Sequence, residues 1–201
     1  MGYAKSEQTK RKLVNTMTKL LHTQGYHNTG VSQILKESGV LKGSLYHHFP
    51  GGKAELAVAA VKRANEMMIN GIIGFTEQAN HDPAGMIEIF CNYFIDYMLE
   101  NDFQRGRGTP ISLMILDAAS KEDGIQEQVE IGYKWIIDHL QGLLMQKGMA
   151  EEKAYDLANV VLASVEGAMT VSNARRTVEP LKIVRDQLVE QLTQQRDELV
   201  A

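Results

Sequence analysis

The stretch of sequence that decides the fold is residues 29–53, TGVSQILKESGVLKGSLYHHFPGGK. Two short segments with apolar residues at helical spacing lie on either side of Gly39, the second running from Lys42 to His48, and Thr29 is the expected N-cap of the first. Two short helices joined by a turn of three or four residues that contains glycine predict a helix-turn-helix. In that motif the second helix is presented to the major groove of DNA.

The second helix carries its polar groups on one face. If Leu45 points inward, the outward face at 100° per residue combines a cation, hydroxyls, an imidazole and a glycine: Lys42, Gly43, Ser44, Tyr46 and His47. Lys53 stands at the expected start of the fourth helix, where a cation is unfavourable by about 0.3–1 kcal/mol. A phosphate bound at that helix terminus would reverse the sign of this effect.

Two other interpretations of this segment stay open. The run Tyr46-His47-His48-Phe49 also fits an ordinary half-buried aromatic cluster, and adjacent histidines suggest a metal ligand pair. No carboxylate or thiol stands nearby at ligand spacing, so no metal site is expected.

Charge is distributed unevenly along the chain. The 201 residues carry 21 Lys and Arg against 25 Asp and Glu, for a formal net charge of −4. Residues 1–53 hold eight cations and two anions, whereas the remainder holds 13 cations and 23 anions. A basic head on an acidic body indicates a polyanion partner at one end only, unless the cations simply form a solvated face.

The rest of the chain predicts an all-α protein. A first helix is expected from an N-cap at Ser6 to a left-handed cap at Gly25, and no alternating run predicts a strand. Later helices are expected near 53–79, 84–101, 110–119, 124–147, 151–174 and 180–199. The domains are then a DNA-binding head, residues 1–52, and an effector-binding and dimerisation body, residues 53–201.

Neither a membrane-spanning run nor a secretory signal stands out, and Cys91 is the only cysteine. A single cysteine excludes an internal disulfide and any cysteine-cluster metal site. We therefore expect a cytoplasmic protein without cofactors.

The head resembles the DNA-binding domain of TetR-family transcriptional regulators over about residues 9–56. The stretch Phe49-Pro50-Gly51-Gly52-Lys53 is one residue longer than the commoner family pattern and is similar to the LmrA/YxaF-like subgroup. The resemblance implies a homodimeric repressor that a small hydrophobic effector releases from double-stranded operator DNA. It implies that Lys42, Gly43, Ser44, Tyr46 and His47 face DNA and that Thr29, His48 and Lys53 hold phosphates. Two positions depart from the family pattern: Leu41 stands where Ser, Thr or Pro usually caps the recognition helix, and Leu35 replaces a small alanine.

The last two predicted helices each carry an apolar stripe, and the first of the two also carries small residues that permit close helix approach: Ala163, Ser164, Gly167 and Ala168. We expect these stripes to form a four-helix dimer interface, as the corresponding helices do in the family, although an intrachain core would give the same pattern. The expected interface residues are Leu157, Val161, Ser164, Val165, Ala168, Leu181, Val184, Leu188 and Leu192.

The middle helices are rich in aromatic residues and methionine, which fits plain core but also the adaptable lining of a ligand pocket. The resemblance implies an effector cavity here. The expected lining residues are Phe90, Tyr93, Phe94, Tyr97, Met114, Trp135 and His139.

The sequence also bears on two other classes of protein, enzymes and binding proteins that do not contact DNA. No acid/base pair or nucleophile constellation predicts an enzyme, and Cys91 lies inside an apolar helical run. A helical adaptor that binds only protein, or a small-molecule-binding protein without DNA, remains the alternative. Salt dependence separates them, because binding to DNA weakens steeply with ionic strength.

Overall fold

The computed structural model describes residues 2–104 and 123–200, and every regular element in those ranges is an α-helix. The predicted all-α fold is confirmed. The elements are α1 Gly2–Gln24, α2 Val31–Ser38, α3 Lys42–His48, α4 Lys53–Gln78, α5 Pro83–Glu100, α6 Asp123–Gln146, α7 Glu151–Arg175 and α8 Glu179–Val200. The helix predicted at 110–119 lies outside the described residues.

Two details of the helix termini differ from the sequence prediction. Helix α1 begins at Gly2, so Ser6 lies within the helix and does not cap it. Gly30, not Thr29, is the N-cap of α2, and it offers no side-chain hydrogen bond. The left-handed turns expected at Gly25 and Gly39 are present, with φ of 77° and 65°. Glycine adopts such positive φ values without the steric penalty of a Cβ atom.

The described chain forms two compact units. The head unit comprises residues 2–67 and 123–131, and the body unit comprises residues 68–104 and 132–200. The sequence-based boundary at residues 52 and 53 coincides with the start of α4, but the head unit continues along that helix. It does so because Leu56, Ala57, Ala60 and Val61 of α4 belong to the same buried core as the apolar residues of α1.

The head unit is organised around one apolar core. Its centre consists of side chains with at most 3% of their surface exposed, drawn from α1 to α4 and α6: Leu13, Met17, Leu20, Leu21, Ile34, Leu45, Phe49, Leu56, Val61 and Ile125. Thr18 ties α1 to α4, since its Oγ1 lies 3.2 Å from the carbonyl oxygen of Ala60. The core therefore fixes α2 and α3 against the longer helices α1, α4 and α6.

The beginning of α6 belongs to the head unit, which periodicity along the sequence did not predict. Ile125 is fully buried in the head core, and Val129 packs against the same core. The Asn65 amide donates to the carbonyl oxygen of Gln128 across 2.6 Å. A segment far along the sequence thus completes the packing around α4.

The body unit has a separate core made by α5, α7, α8 and the later part of α6. Helix α5 packs along α8, and the Arg185 guanidinium donates to Asn92 Oδ1 at 2.6 Å between them. Ser172 is fully buried and its hydroxyl oxygen accepts from the Leu181 amide, which fixes the start of α8 against α7. Among the described helices, none is both long and apolar enough to cross a membrane.

The buried start of α6 generates a stability prediction. Ile125→Ala should lower the free energy of unfolding by about 2–5 kcal/mol, because it leaves a cavity in the head core. The matched control is Ile131→Ala on the same helix, where the side chain is 48% exposed and the change should stay within about 0.5 kcal/mol. Urea unfolding followed by circular dichroism measures both, and equal effects would show that the start of α6 is not part of the head core.

Candidate functional site

Helix α3 is anchored on one side and open on the other. Leu45 is fully buried and Phe49, directly after the helix, is 3% exposed. Lys42, Gly43 and His47 are exposed, whereas Ser44 and His48 are half-buried. Tyr46 is 43% exposed. The outward groups named from the sequence therefore share one accessible surface, with Ser44 at its edge, and we call Lys42, Gly43, Ser44, Tyr46 and His47 the α3 face.

The turn after α3 positions the tyrosine of this face. Gly52 has a φ of 67°, and a Cβ atom built there would lie 3.2 Å from Cε1 of Tyr46. The Tyr46 ring therefore lies directly against a backbone that only glycine provides without strain. The Gly51 amide donates to Glu55 Oε2 at 2.8 Å, which satisfies a backbone group at the start of α4.

Lys53 is held at the first position of α4. Its Nζ atom lies 4.0 Å from the ring centroid of Tyr26, in cation–π geometry, and the Tyr26 ring is itself buried. The ring directs the ammonium group to one place at the helix terminus. Sequence reasoning missed Tyr26, because no periodicity links positions 26 and 53.

Thr29 does not hold the position expected of it. It is fully buried, and its hydroxyl donates to the carbonyl oxygen of Gly25 at 2.7 Å. The N-cap assignment of Thr29 is therefore wrong, and its enclosed hydroxyl gives no support to the expected phosphate contact. It instead closes the turn between α1 and α2, where a β-branched residue with one hydroxyl fills the space and satisfies a carbonyl.

A polar network braces α1 against α2. The side-chain amides of Gln24 and Gln33 exchange hydrogen bonds of 2.9 and 3.2 Å, and Gln33 also donates to Glu37 at 2.9 Å. Lys19 lies 3.6 Å from the Glu37 carboxylate. These contacts hold the helix that packs beside α3, and they leave the α3 face itself uninvolved.

Most of the residues expected to form the dimer interface are instead buried within the chain itself. Seven of the nine expected interface residues are buried in the core of the body unit: Leu157, Val161, Val165, Ala168, Leu181, Leu188 and Leu192. Ser164 and Val184 are half-buried. The structure therefore uses these seven for intrachain packing, because α7 and α8 face each other and α5 with their most apolar sides. The alternative of an intrachain core describes them correctly.

A different face of α7 is open in the body unit. Val160 and Val171 are 51% and 43% exposed, and Ala163 and Gly167 between them are also exposed. Nothing lies within 4 Å of a Cβ atom built on Gly167. We call Val160, Ala163, Ser164, Gly167 and Val171 the small face of α7. Val160, Ala163, Gly167 and Val171 recur at spacings of three and four and so line one side of the helix, and Ser164 lies next to Ala163.

Several of the aromatic residues expected around an effector do meet. The Phe75 ring of α4 contacts Phe90 and Tyr93 of α5, at centroid distances of 6.0 and 5.4 Å. Phe94 contacts Phe90 and Tyr93 in turn, at 4.8 and 5.1 Å. Phe75 completes this aromatic cluster and was not among the expected lining residues. Tyr97 is half-buried further along α5, and Met114 lies outside the described residues.

Trp135 and His139 form a second group on α6. Their rings stack at 4.8 Å with an angle of 9°, and His139 Nε2 lies 2.9 Å from the Thr76 hydroxyl. That hydroxyl also lies 2.8 Å from the carbonyl oxygen of Ile72, so its proton is directed there and its oxygen is free to accept from the imidazole. Burial, aided by the nearby His81, lowers the pKa of His139 and favours the neutral ring.

Two polar side chains of the body unit are hydrogen-bonded within it: Asn92 accepts from Arg185, and Glu166 accepts from the Tyr133 hydroxyl at 3.1 Å. Cys91 is fully buried, and this burial raises the pKa of its thiol to about 12, against the opposing charge of Arg185. A thiol that stays protonated is a poor nucleophile.

Within the described ranges, no group of three or more His, Cys, Asp or Glu is placed to hold a metal ion.

Comparisons with known proteins agree with this geometry. Residues 13–60 match the model of bacterial regulatory proteins of the tetR family, and residues 83–187 match the C-terminal domain of LmrA/YxaF-like transcriptional regulators. The chain is therefore a helix-turn-helix regulator of transcription. It belongs to the TetR family, in its LmrA/YxaF-like branch, and its relatives are transcriptional regulators and not enzymes.

Individual relatives cover nearly the whole chain. The HTH-type transcriptional regulator LmrA of Bacillus subtilis is 34% identical, and the match covers 90% of this chain and 93% of that protein. The uncharacterized regulator YxaF of the same organism is 30% identical over the same shares. A TetR-family regulator from Cytophaga hutchinsonii has the same fold, with a TM-score of 0.79, 16% identity, and coverage of 94% of this chain and 95% of that one.

Proposed function

We propose that the α3 face, together with His48 and Lys53, binds the major groove and flanking phosphates of an operator. The observation that carries this proposal is the arrangement of α3: Leu45 and Phe49 are buried, while a lysine, a glycine, a tyrosine and a histidine stand exposed on the opposite side. Lysine and histidine donate to phosphates or base edges, and the absence of a Cβ on Gly43 lets the backbone approach closely. Membership in a family of DNA-binding regulators supports the same assignment.

We further propose that the protein is a repressor that works in the cytoplasm and is released from DNA by a small hydrophobic effector. The body unit offers the aromatic cluster around Phe75 and the stacked Trp135 and His139 pair, where an apolar ligand with one polar group would find both partners. Helices α4 and α6 each contribute to both units, so a ligand that displaces either helix changes the conformation of the head. A coupling of about 1–3 kcal/mol would lower operator affinity about 5- to 150-fold.

We propose, finally, that the working form is a homodimer in which the small face of α7 meets its copy. Small side chains at this face permit close approach of two helices, and no residue of the body unit fills the space beside Gly167. A dimer presents two recognition helices, and half-sites one helical turn apart, about 34–36 Å, match such a pair.

The first prediction from this proposed function concerns DNA binding. Lys42→Ala should weaken binding to a selected operator and reduce the slope of log affinity against log salt by about 0.9 for each phosphate that the lysine neutralises. The matched control is Lys153→Ala, at an exposed lysine of the body unit, which should leave both quantities unchanged. Fluorescence anisotropy over a range of salt concentrations measures them. Identical slopes for wild type and Lys42→Ala would reject the assignment of Lys42.

The second prediction concerns the dimer. Gly167→Arg should give a monomer in sedimentation velocity and lower operator affinity by about 100-fold or more, because the second half-site no longer contributes. The open space beside Gly167 means that the arginine does not strain the single chain. Gly142→Arg, on α6 with equally open space, is the control and should remain dimeric. A dimeric Gly167→Arg variant would place the interface elsewhere.

The third prediction concerns the effector. Compounds that release the operator in a library screen should also change the fluorescence of Trp135, the only tryptophan in the chain. Phe94→Ala should weaken both responses, whereas Leu99→Ala, at a 55% exposed position of the same helix, should preserve them. Compounds that release DNA equally well from all three proteins without a tryptophan signal would place the effector site outside this region.

A further inference from the structure

Leu41 is the most exposed of the large apolar side chains that the structure describes, at 79%. A single exposed leucine is common on protein surfaces and needs no explanation by itself. This one, however, occupies the N-cap of α3, immediately before Lys42 and Gly43 of the α3 face. Its place beside the proposed DNA-binding surface distinguishes it from an ordinary exposed leucine.

Leucine is a poor choice for this position on local grounds. An N-cap side chain normally accepts a hydrogen bond from a backbone amide of the first turn, and leucine has no acceptor. Only the backbone half of the cap is present, since the Leu41 carbonyl oxygen accepts from the amides of Ser44 and Leu45 at 3.0 and 3.2 Å. Leu41 therefore provides no side-chain hydrogen bond to the first turn of α3, and its isobutyl group is mostly exposed.

We propose that Leu41 reads the C5 methyl group of a thymine in each operator half-site. The inference rests on the proposed DNA-binding role of the α3 face. Residues at the N-terminal end of a recognition helix are the ones that reach base edges in the major groove. Thymine is the base that presents a methyl group there, and it is recognised by apolar contact.

The neighbouring residues favour this contact over a purely electrostatic one. No atom lies within 4 Å of a Cβ built on Gly43, so the surface next to Leu41 is open to a base edge. Lys42 supplies the cation for a phosphate or guanine, and Leu41 next to it supplies an aliphatic side chain. Covering one methyl group in such a contact corresponds to about a fourfold gain in affinity.

The test begins with selection of an operator from random duplex DNA by the full-length protein. Each thymine of the selected half-site is then replaced in turn by uracil, which keeps the base pair and removes only the methyl group. At one position, uracil should weaken wild-type binding about fourfold, because the leucine no longer covers a methyl group there. Leu41→Ala should bind the thymine and uracil operators equally.

Two further variants separate base readout from folding. Leu41→Ser restores an N-cap side chain and should keep or raise the melting temperature, yet it should also lose the preference for thymine. Leu99→Ala removes an exposed leucine from the body unit and should discriminate between the two operators as wild type does.

The outcomes separate a failure of the methyl contact from a failure of the proposed DNA-binding function. If the protein enriches a specific sequence but no thymine-to-uracil change weakens it in a way that depends on Leu41, the methyl contact is refuted and the DNA-binding role stands. If Leu41→Ala still binds the thymine operator more tightly than the uracil operator, the methyl contact is likewise refuted and the DNA-binding role stands. If no sequence is enriched, both the proposed function and this inference fail.

Discussion

The architecture of the head depends on the burial of Leu45 and Phe49. Helix α3 has seven residues and no side-chain N-cap, and a helix this short is not stable in water on its own. It persists because two apolar side chains on its inner side enter a core built by longer helices. Because the inner side makes the core contacts, the polar residues on the outer side are not needed for core packing and are available for recognition.

The sequence alone predicts the helical class, the helix-turn-helix and the bounds of α3, because each depends on local signals. Gly25 and Gly39 mark left-handed turns, and the inward Leu45 sets which neighbours point outward. Leu41 without a side-chain cap was likewise visible from residue type. These are features that a single helix or turn determines by itself.

The features that escaped prediction all depend on contacts distant in sequence or on the direction of one side chain. Thr29 has the residue type of an N-cap, but its hydroxyl turns inward because Gly25 offers a buried carbonyl. Nothing in the periodicity of α6 reveals that Ile125 completes the core of the head. Helix α7 has apolar or small residues on two sides, and composition cannot tell which side the chain covers with α8 and which it leaves open.

The burial of Cys91 has a practical consequence for studying this regulator. The thiolate is the form that attacks maleimide and iodoacetamide probes, and a fully buried thiol whose pKa is raised to about 12 offers almost none at neutral pH. Because Cys91 is the sole cysteine, a second one engineered at a solvent-facing site such as Lys153 would be labelled selectively in the otherwise native chain. A pair of such dyes, one on each copy of the proposed dimer, would then report the distance between the two copies in solution.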